Sequence, residues 1–209
     1  IEPERIGVIY NGVDLADIDQ KAQAPLPATL RWPENTAKFV AVGRLVPKKD
    51  YPTLLKAFAQ LTQNHPSELI ILGEGPERAR LEALVRELAI KDQVQLPGRC
   101  DNPYAVLARA DGYVLSSMSE GMPSALIEAL ACRCPVVSTR CPSGPEEILE
   151  QGQYGQLVPV GDVSALREAM RGILTDPMPG EELRRRAEQL SSAHAVRQYL
   201  QVIDSVLES

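Results

Sequence analysis

Short apolar runs alternate along this chain with longer stretches in which apolar residues recur every three or four positions. The runs fall at 39–42, 69–72, 94–96, 111–115, 136–137 and 157–160. Each is too short for a helix and is bounded by turn residues, so each predicts a buried strand. Helical spacing predicts helices over 51–64, 77–89, 124–131 and 163–174, with Leu54, Leu55, Phe58 and Leu61 on one face of the first. A shorter helix is expected from Asn102-Pro103 through Leu107, and two more at 181–190 and 193–207. Asp162 fits the N-cap of the 163–174 helix, and Pro76 the first helical position of 77–89. Residues 6–10 form a further strand-like run ending in the turn Asn11-Gly12-Val13-Asp14. Residues 15–36 carry Pro25, Pro27 and Pro33 with little periodicity and read as a loop or linker. Repeated strand–helix alternation predicts an α/β fold: a doubly wound, mostly parallel, Rossmann-like sheet of about six strands with helices on both faces.

Composition narrows the functions open to such a sheet. With 209 residues and 44% hydrophobic positions, the chain can bury a continuous core. A net charge of -6 argues against a general polyanion-binding role, and 4% aromatics against a stacking platform for single-stranded nucleic acid. No apolar run approaches the roughly 20 residues of a membrane span. Cys100, Cys132, Cys134 and Cys141 have neither zinc-site nor C-x-x-C spacing and read as free thiols in a reducing compartment. His65 and His194 have no carboxylate or cysteine partner nearby in sequence, so no metal site is expected. The run Arg184-Arg185-Arg186 reads as a solvated helix face.

The candidate chemistry centres on 116–137. Gly121 and Pro123 make a loop, a run of helix formers follows from Ser124, and Pro135 ends it before Val136 and Val137. Glu120 in the loop and Glu128, expected about two turns into the helix, have seven residues between them. Free N–H groups at the helix N-terminus favour an anion, commonly a phosphate. A ligand with a negative centre and hydroxyls at both ends, such as a nucleotide-sugar, fits. An acidic loop residue and one exposed helical glutamate fit the spacing equally. A second loop, 43–50, follows the 39–42 strand and carries Arg44, Lys48 and Lys49, where a parallel sheet binds phosphate. Surface solubility is the other explanation of those cations. Gly73-Glu74-Gly75 lacks the third glycine of a dinucleotide fingerprint and reads as a tight turn.

The segment EGMPSALIE, preceded by Ser116-Ser117 and followed by Pro-Val-Val, resembles the donor-site signature of GT-B glycosyltransferases, above all the large retaining family often called family 4. Gly43-Arg44-Leu45 with Lys49 resembles the motif whose Arg and Lys hold the donor diphosphate in that family, and Val8 to Asp14 resembles its entry into the second domain. The resemblance covers nearly all of the chain, but only the second half of such an enzyme. It implies an interdomain segment over 1–36, a donor-binding domain over 37–190 and a C-terminal helix over 191–209, with the acceptor-binding first domain missing.

The resemblance also implies roles. Arg44, Lys49 and Glu120 would be catalytic. Arg44 and Lys49 would grip the diphosphate with Lys48 assisting beside Gly43, and Glu120 would accept from sugar hydroxyls and Glu128 from ribose hydroxyls. Main-chain groups of Arg99 and Cys100 would lie along the base. The family often has Gly-Phe-Gly after the first Glu; Gly121-Met122-Pro123 here removes one N–H at Pro123 and leaves those of Ser124, Ala125 and Leu126. Asp50 stands where the family usually has Gly, which bears on the turn and on the local positive field. The implied activity is retaining sugar transfer from a nucleoside-diphosphate sugar, with UDP-sugar foremost. The acceptor would be a glycan or lipid-linked sugar. Neither a metal nor another cofactor is required, and the setting would be cytoplasmic, at or near the inner membrane face. A nucleotide-sugar epimerase or phosphorylase on the same frame, or a non-catalytic nucleotide-sugar binding module, are the alternatives.

Overall fold

The computed structural model describes residues 7–207. Six strands form one sheet: β1 (Ala37–Val42), β2 (Ser67–Leu72), β3 (Val94–Gly98), β4 (Gly112–Leu115), β5 (Val136–Thr139) and β6 (Gln156–Val158). All pairings are parallel and the order is β3-β2-β1-β4-β5-β6. The helices are α1 (Leu15–Ala22), α2 (Tyr51–Leu61), α3 (Arg78–Glu87), α4 (Tyr104–Leu107), α5 (Ser124–Ala131), α6 (Pro145–Ile148), α7 (Val163–Thr175), α8 (Gly180–Gln189) and α9 (Ser192–Leu207). A sheet buried on both faces needs apolar residues in both strand phases, which is why its strands read as unbroken apolar runs. In β1 and β2, Phe39, Ala41, Leu69 and Ile71 face a core built with α2, α3 and α7. Val40, Ile70 and Leu72 face a second core that includes residues of α4, α5 and α8. Phe39 meets Phe58 of α2 edge to face, with ring centroids 6.5 Å apart.

Several expectations are corrected. Residues 15–36 are not all loop, since α1 occupies 15–22. Asp14 caps it, accepting from the N–H groups of Ala16 and Asp17 at 3.0 and 3.1 Å. Ile18 is its one buried residue, so an anchor and a cap do what periodicity does elsewhere. Of the strand-like run at 6–10, Ile6 lies outside the described residues, and 7–10 form no strand; the pairing is instead a single parallel bridge from Val13 to Ser191. Pro76 precedes the cap residue Glu77 and is not the first helical residue of α3. The last strand ends at Val158, short of Val160.

Arg184-Arg185-Arg186 is a solvated face only at Arg185. Arg184 makes a bidentate pair with Asp19 of α1 at 2.7 and 2.8 Å and donates to the carbonyl of Ala131, the last residue of α5. Arg186, 9% exposed, donates to the carbonyls of Glu147 and Ile148 at 2.7 and 2.8 Å and pairs with Glu150 at 2.6 Å. Its fork satisfies carbonyls at the C-terminal end of α6 that a helix of one turn cannot satisfy internally.

Among the described residues, no helix is long and apolar enough to cross a membrane. The cysteines are free, with Cys134 and Cys141 buried. Of α9 only Ala195 is buried, while Val196, Tyr199, Leu200, Val202 and Ile203 are exposed.

Candidate functional site

The strand order reverses between β1 and β4, the place where an open parallel sheet leaves a crevice at its carboxyl end. Loops from four strands border that crevice. After β1, the chain makes one tight turn over Pro47–Lys49 and enters α2. Asp50 ends this turn in the left-handed region, φ 44° and ψ 44°, its N–H bonded to Pro47 O at 3.0 Å. The turn is therefore kept with aspartate where the resemblance expects glycine, since short polar side chains tolerate that conformation better than others. Gly43, at φ 155°, leaves room that a Cβ would take from Lys49 Cε, 2.9 Å away. Gly73 permits a closer approach still: its Cβ would fall 1.9 Å from Gly43 O.

The loop after β4 is fastened to the loop after β1. Met118 N donates to Lys48 O at 2.8 Å, and Ser116 Oγ to Lys49 O at 2.8 Å. Lys49 Nζ pairs with Glu120 Oε1 at 2.6 Å, with the two side chains 15% and 8% exposed. Arg44 and Lys48 are exposed, and neither side chain has a hydrogen-bond or ion-pair partner among the described residues. Gly144, at φ 55°, packs against Gly121, whose carbonyl oxygen is 2.1 Å from where a Gly144 Cβ would stand. The segment after β5 thus packs against the Glu120 loop.

Helix α5 begins at Ser124 with Pro123 in the cap position, and no side chain caps it. The N–H groups of Ser124 and Ala125 make no bond within the described protein, but Leu126 N donates to Pro123 O at 3.0 Å. Leu126 therefore does not offer the N–H expected of it, because the first turn tightens to an i→i−3 bond. Glu128 is the fifth residue of α5, about one turn in rather than two. Burial pushes its carboxyl above the usual carboxylate range, an effect opposed by the Tyr104 hydroxyl. Arg133 pairs with Glu181 at 3.0 Å, so it does not neutralise Glu128.

These groups line two adjoining cavities. One, of about 440 Å³, is bordered by Gly43, Arg44, Lys48, Lys49, Glu120, Met122, Ser124, Ala125 and Glu128. The other, of about 590 Å³, shares Val42, Gly43 and Arg44 and extends to Gly73, Glu74, Gly75, Arg99, Cys100 and Pro103. The structure thus brings the expected residues together, with Gly121 and Leu126 just outside the linings. Sequence reasoning missed Gly73, Glu74, Gly75 and Pro103. The Gly-x-Gly turn was the signal available, and its glycines serve loop contact: a Gly75 Cβ would stand 2.3 Å from Leu45 O. Glu74 is held by Arg78 through two contacts of 2.9 and 2.6 Å. Among the described residues, no cluster of His, Cys, Asp and Glu could hold a metal ion.

A family model described as "Glycosyl transferases group 1" matches residues 23–191. A curated relative from Campylobacter jejuni, N-acetylgalactosamine-N,N'-diacetylbacillosaminyl-diphospho-undecaprenol 4-alpha-N-acetylgalactosaminyltransferase, is 34% identical over 84% of this chain and 46% of its own length. The chain spans about half the length of the curated relatives it matches. Sucrose-phosphate synthase from Thermosynechococcus elongatus superposes with a TM-score of 0.80 at 29% identity, over 97% of this chain and 53% of that one. HepE of Anabaena in complex with UDP has the same fold, with a TM-score of 0.80 at 22% identity over 97% and 58% of the two chains.

Proposed function

The chain belongs to the glycosyl transferases group 1, and from that premise we propose that it is the donor-binding half of a retaining hexosyltransferase that uses a UDP-sugar. What carries the proposal is the convergence on one cavity, at the switch point of the sheet, of Arg44, Lys49, the open N-terminus of α5 and Glu128. Arg44 and the N–H groups of Ser124 and Ala125 would take the diphosphate, with Lys49 joining from its pair with Glu120 and Lys48 adding charge. Glu128 would accept from the two ribose hydroxyls, and Glu120 from the sugar. The second cavity, with main-chain groups of Arg99 and Cys100, would receive the base. As the bond between sugar and diphosphate breaks, negative charge grows on the leaving diphosphate, and fixed cations and N–H dipoles lower the energy of that state. The proposal needs no metal ion. UDP is preferred among nucleotides because HepE, which shares this fold, was solved with UDP. A lipid-linked or glycan acceptor is proposed for the full-length protein, after the diphospho-undecaprenol named for the Campylobacter relative. Contact with the inner face of a membrane is proposed on the same ground.

Thermal protection tests the proposal, since a ligand that binds only the folded state raises its melting temperature. UDP should protect the chain and uridine should protect it far less. Lys49→Ala should weaken UDP far more than uridine. Absence of protection by UDP, GDP and ADP alike would overturn the reading.

A further inference from the structure

Two consecutive serines underlie the candidate site, and both are buried. Ser116 holds the main chain of Lys49, as described. Ser117 Oγ donates to Glu120 Oε1 at 2.6 Å, the same oxygen that receives Lys49 Nζ at 2.6 Å. Thr139, buried at the end of β5, donates from Oγ1 to Ser117 O at 2.6 Å, so the serine is itself fixed from the neighbouring strand. Glu120 Oε2 accepts from none of the described residues, and Glu120 borders the 440 Å³ cavity.

Resting on the donor-site reading above, we propose that Ser117 is a positioning residue: it anchors one carboxylate oxygen of Glu120 so that the other is presented to the hydroxyls of the donor sugar. The chemistry of Lys49 makes a second anchor necessary. A lysine ammonium is a mobile point charge on a flexible stem, and an arriving diphosphate competes with Glu120 for it. Ser117 has no such competitor, because its hydroxyl is buried behind the carboxylate. When the diphosphate draws Lys49 away, the serine bond persists and keeps Glu120 from turning with it. Thr139 adds the stiffness that a loop residue alone lacks.

Calorimetry on this chain with UDP, and with UDP-glucose, UDP-galactose and UDP-N-acetylglucosamine, separates this role from a structural one. Ser117→Ala should leave UDP affinity within about twofold. The affinity of the sugar nucleotides relative to UDP should fall about three- to tenfold, the worth of one hydrogen bond. Ser117→Cys, which keeps a weak donor, should recover part of the loss. In a Glu120→Ala background, Ser117→Ala should change that ratio no further. A ratio unchanged for all three sugars, an equal loss for UDP, or an additional fall in the Glu120→Ala background each overturns the inference. Urea midpoints read the contact without nucleotide: effects of Ser117→Ala and Glu120→Ala should be non-additive, and additive effects overturn it as well. Failure of the wild-type chain to bind any of the four nucleotides sinks the donor reading and this role with it, and is distinguishable because the wild type itself fails.

Discussion

At the scale of residues, Asp50 and Glu128 each carry a cost that chemistry can measure. Asp50 sits at φ 44°, follows Lys48 and Lys49 in the chain, and makes no side-chain hydrogen bond to the helix it caps. Glycine reaches that conformation without steric penalty, whereas a Cβ costs about 1 kcal/mol there. Asp50→Gly should be more stable in urea than Asp50→Ala by about 1 kcal/mol, and it should also bind UDP more tightly at low salt by removing a negative charge. Glu128 has its carboxyl raised by burial. A carboxyl with a raised folded-state pKa favours folding most at low pH, and that contribution is lost as pH rises through the folded value. Binding runs the other way, because the charged carboxylate is the better acceptor for ribose hydroxyls. UDP affinity should therefore fall as pH drops from neutral through the raised pKa of Glu128. Glu128→Gln should flatten that limb, and Glu128→Ala should weaken UDP by about ten- to a hundredfold at neutral pH. A calorimetric pH series on the variants checks both, and an unchanged limb in Glu128→Gln would remove Glu128 from the ribose site.

At the scale of elements, α8 acts as a clamp. Arg184 reaches α1 and the last carbonyl of α5, while Arg186 reaches the end of α6. Helices of one or two turns, such as α4 and α6, are marginal alone and depend on such outside partners. Arg186→Ala should leave the carbonyl of buried Ile148 without its donor, take one donor from that of Glu147 and break the pair with Glu150, lowering stability by about 3 kcal/mol, read from urea midpoints. Arg186→Lys should recover little, since a single ammonium cannot reproduce the fork. A loss under about 1 kcal/mol for Arg186→Ala would show that solvent serves those carbonyls. The arginine run gave no sign of this role, because three adjacent cations look alike until the packing sends two of them inward.

At the scale of the whole molecule, donor binding and transfer should separate. This chain should bind UDP and release sugar from a UDP-sugar only slowly to water, while transfer to an acceptor should require residues of the full-length protein outside it. Counting labelled sugar in a lipid-linked acceptor checks this, and turnover by the chain alone at ordinary enzymatic rates would refute it. Much of the architecture was legible beforehand. A parallel sheet covered on both faces must show short unbroken apolar runs, and its loops at the strand carboxyl ends must hold any ligand, so the runs at 39–42 and 111–115 already pointed to the residues after them. The sequence also determined that α5 starts at Ser124 and that Asp162 caps α7, because those are local matters of turn chemistry and periodicity. Only the tertiary structure decided that Lys49 and Glu120, 71 positions apart, form one ion pair, that Ser117 shares its oxygen, and that Ile18 anchors a helix in a proline-rich stretch. Each of these depends on the distance between groups, and such distances are fixed when the two cores pack rather than by the pattern of residues along the chain.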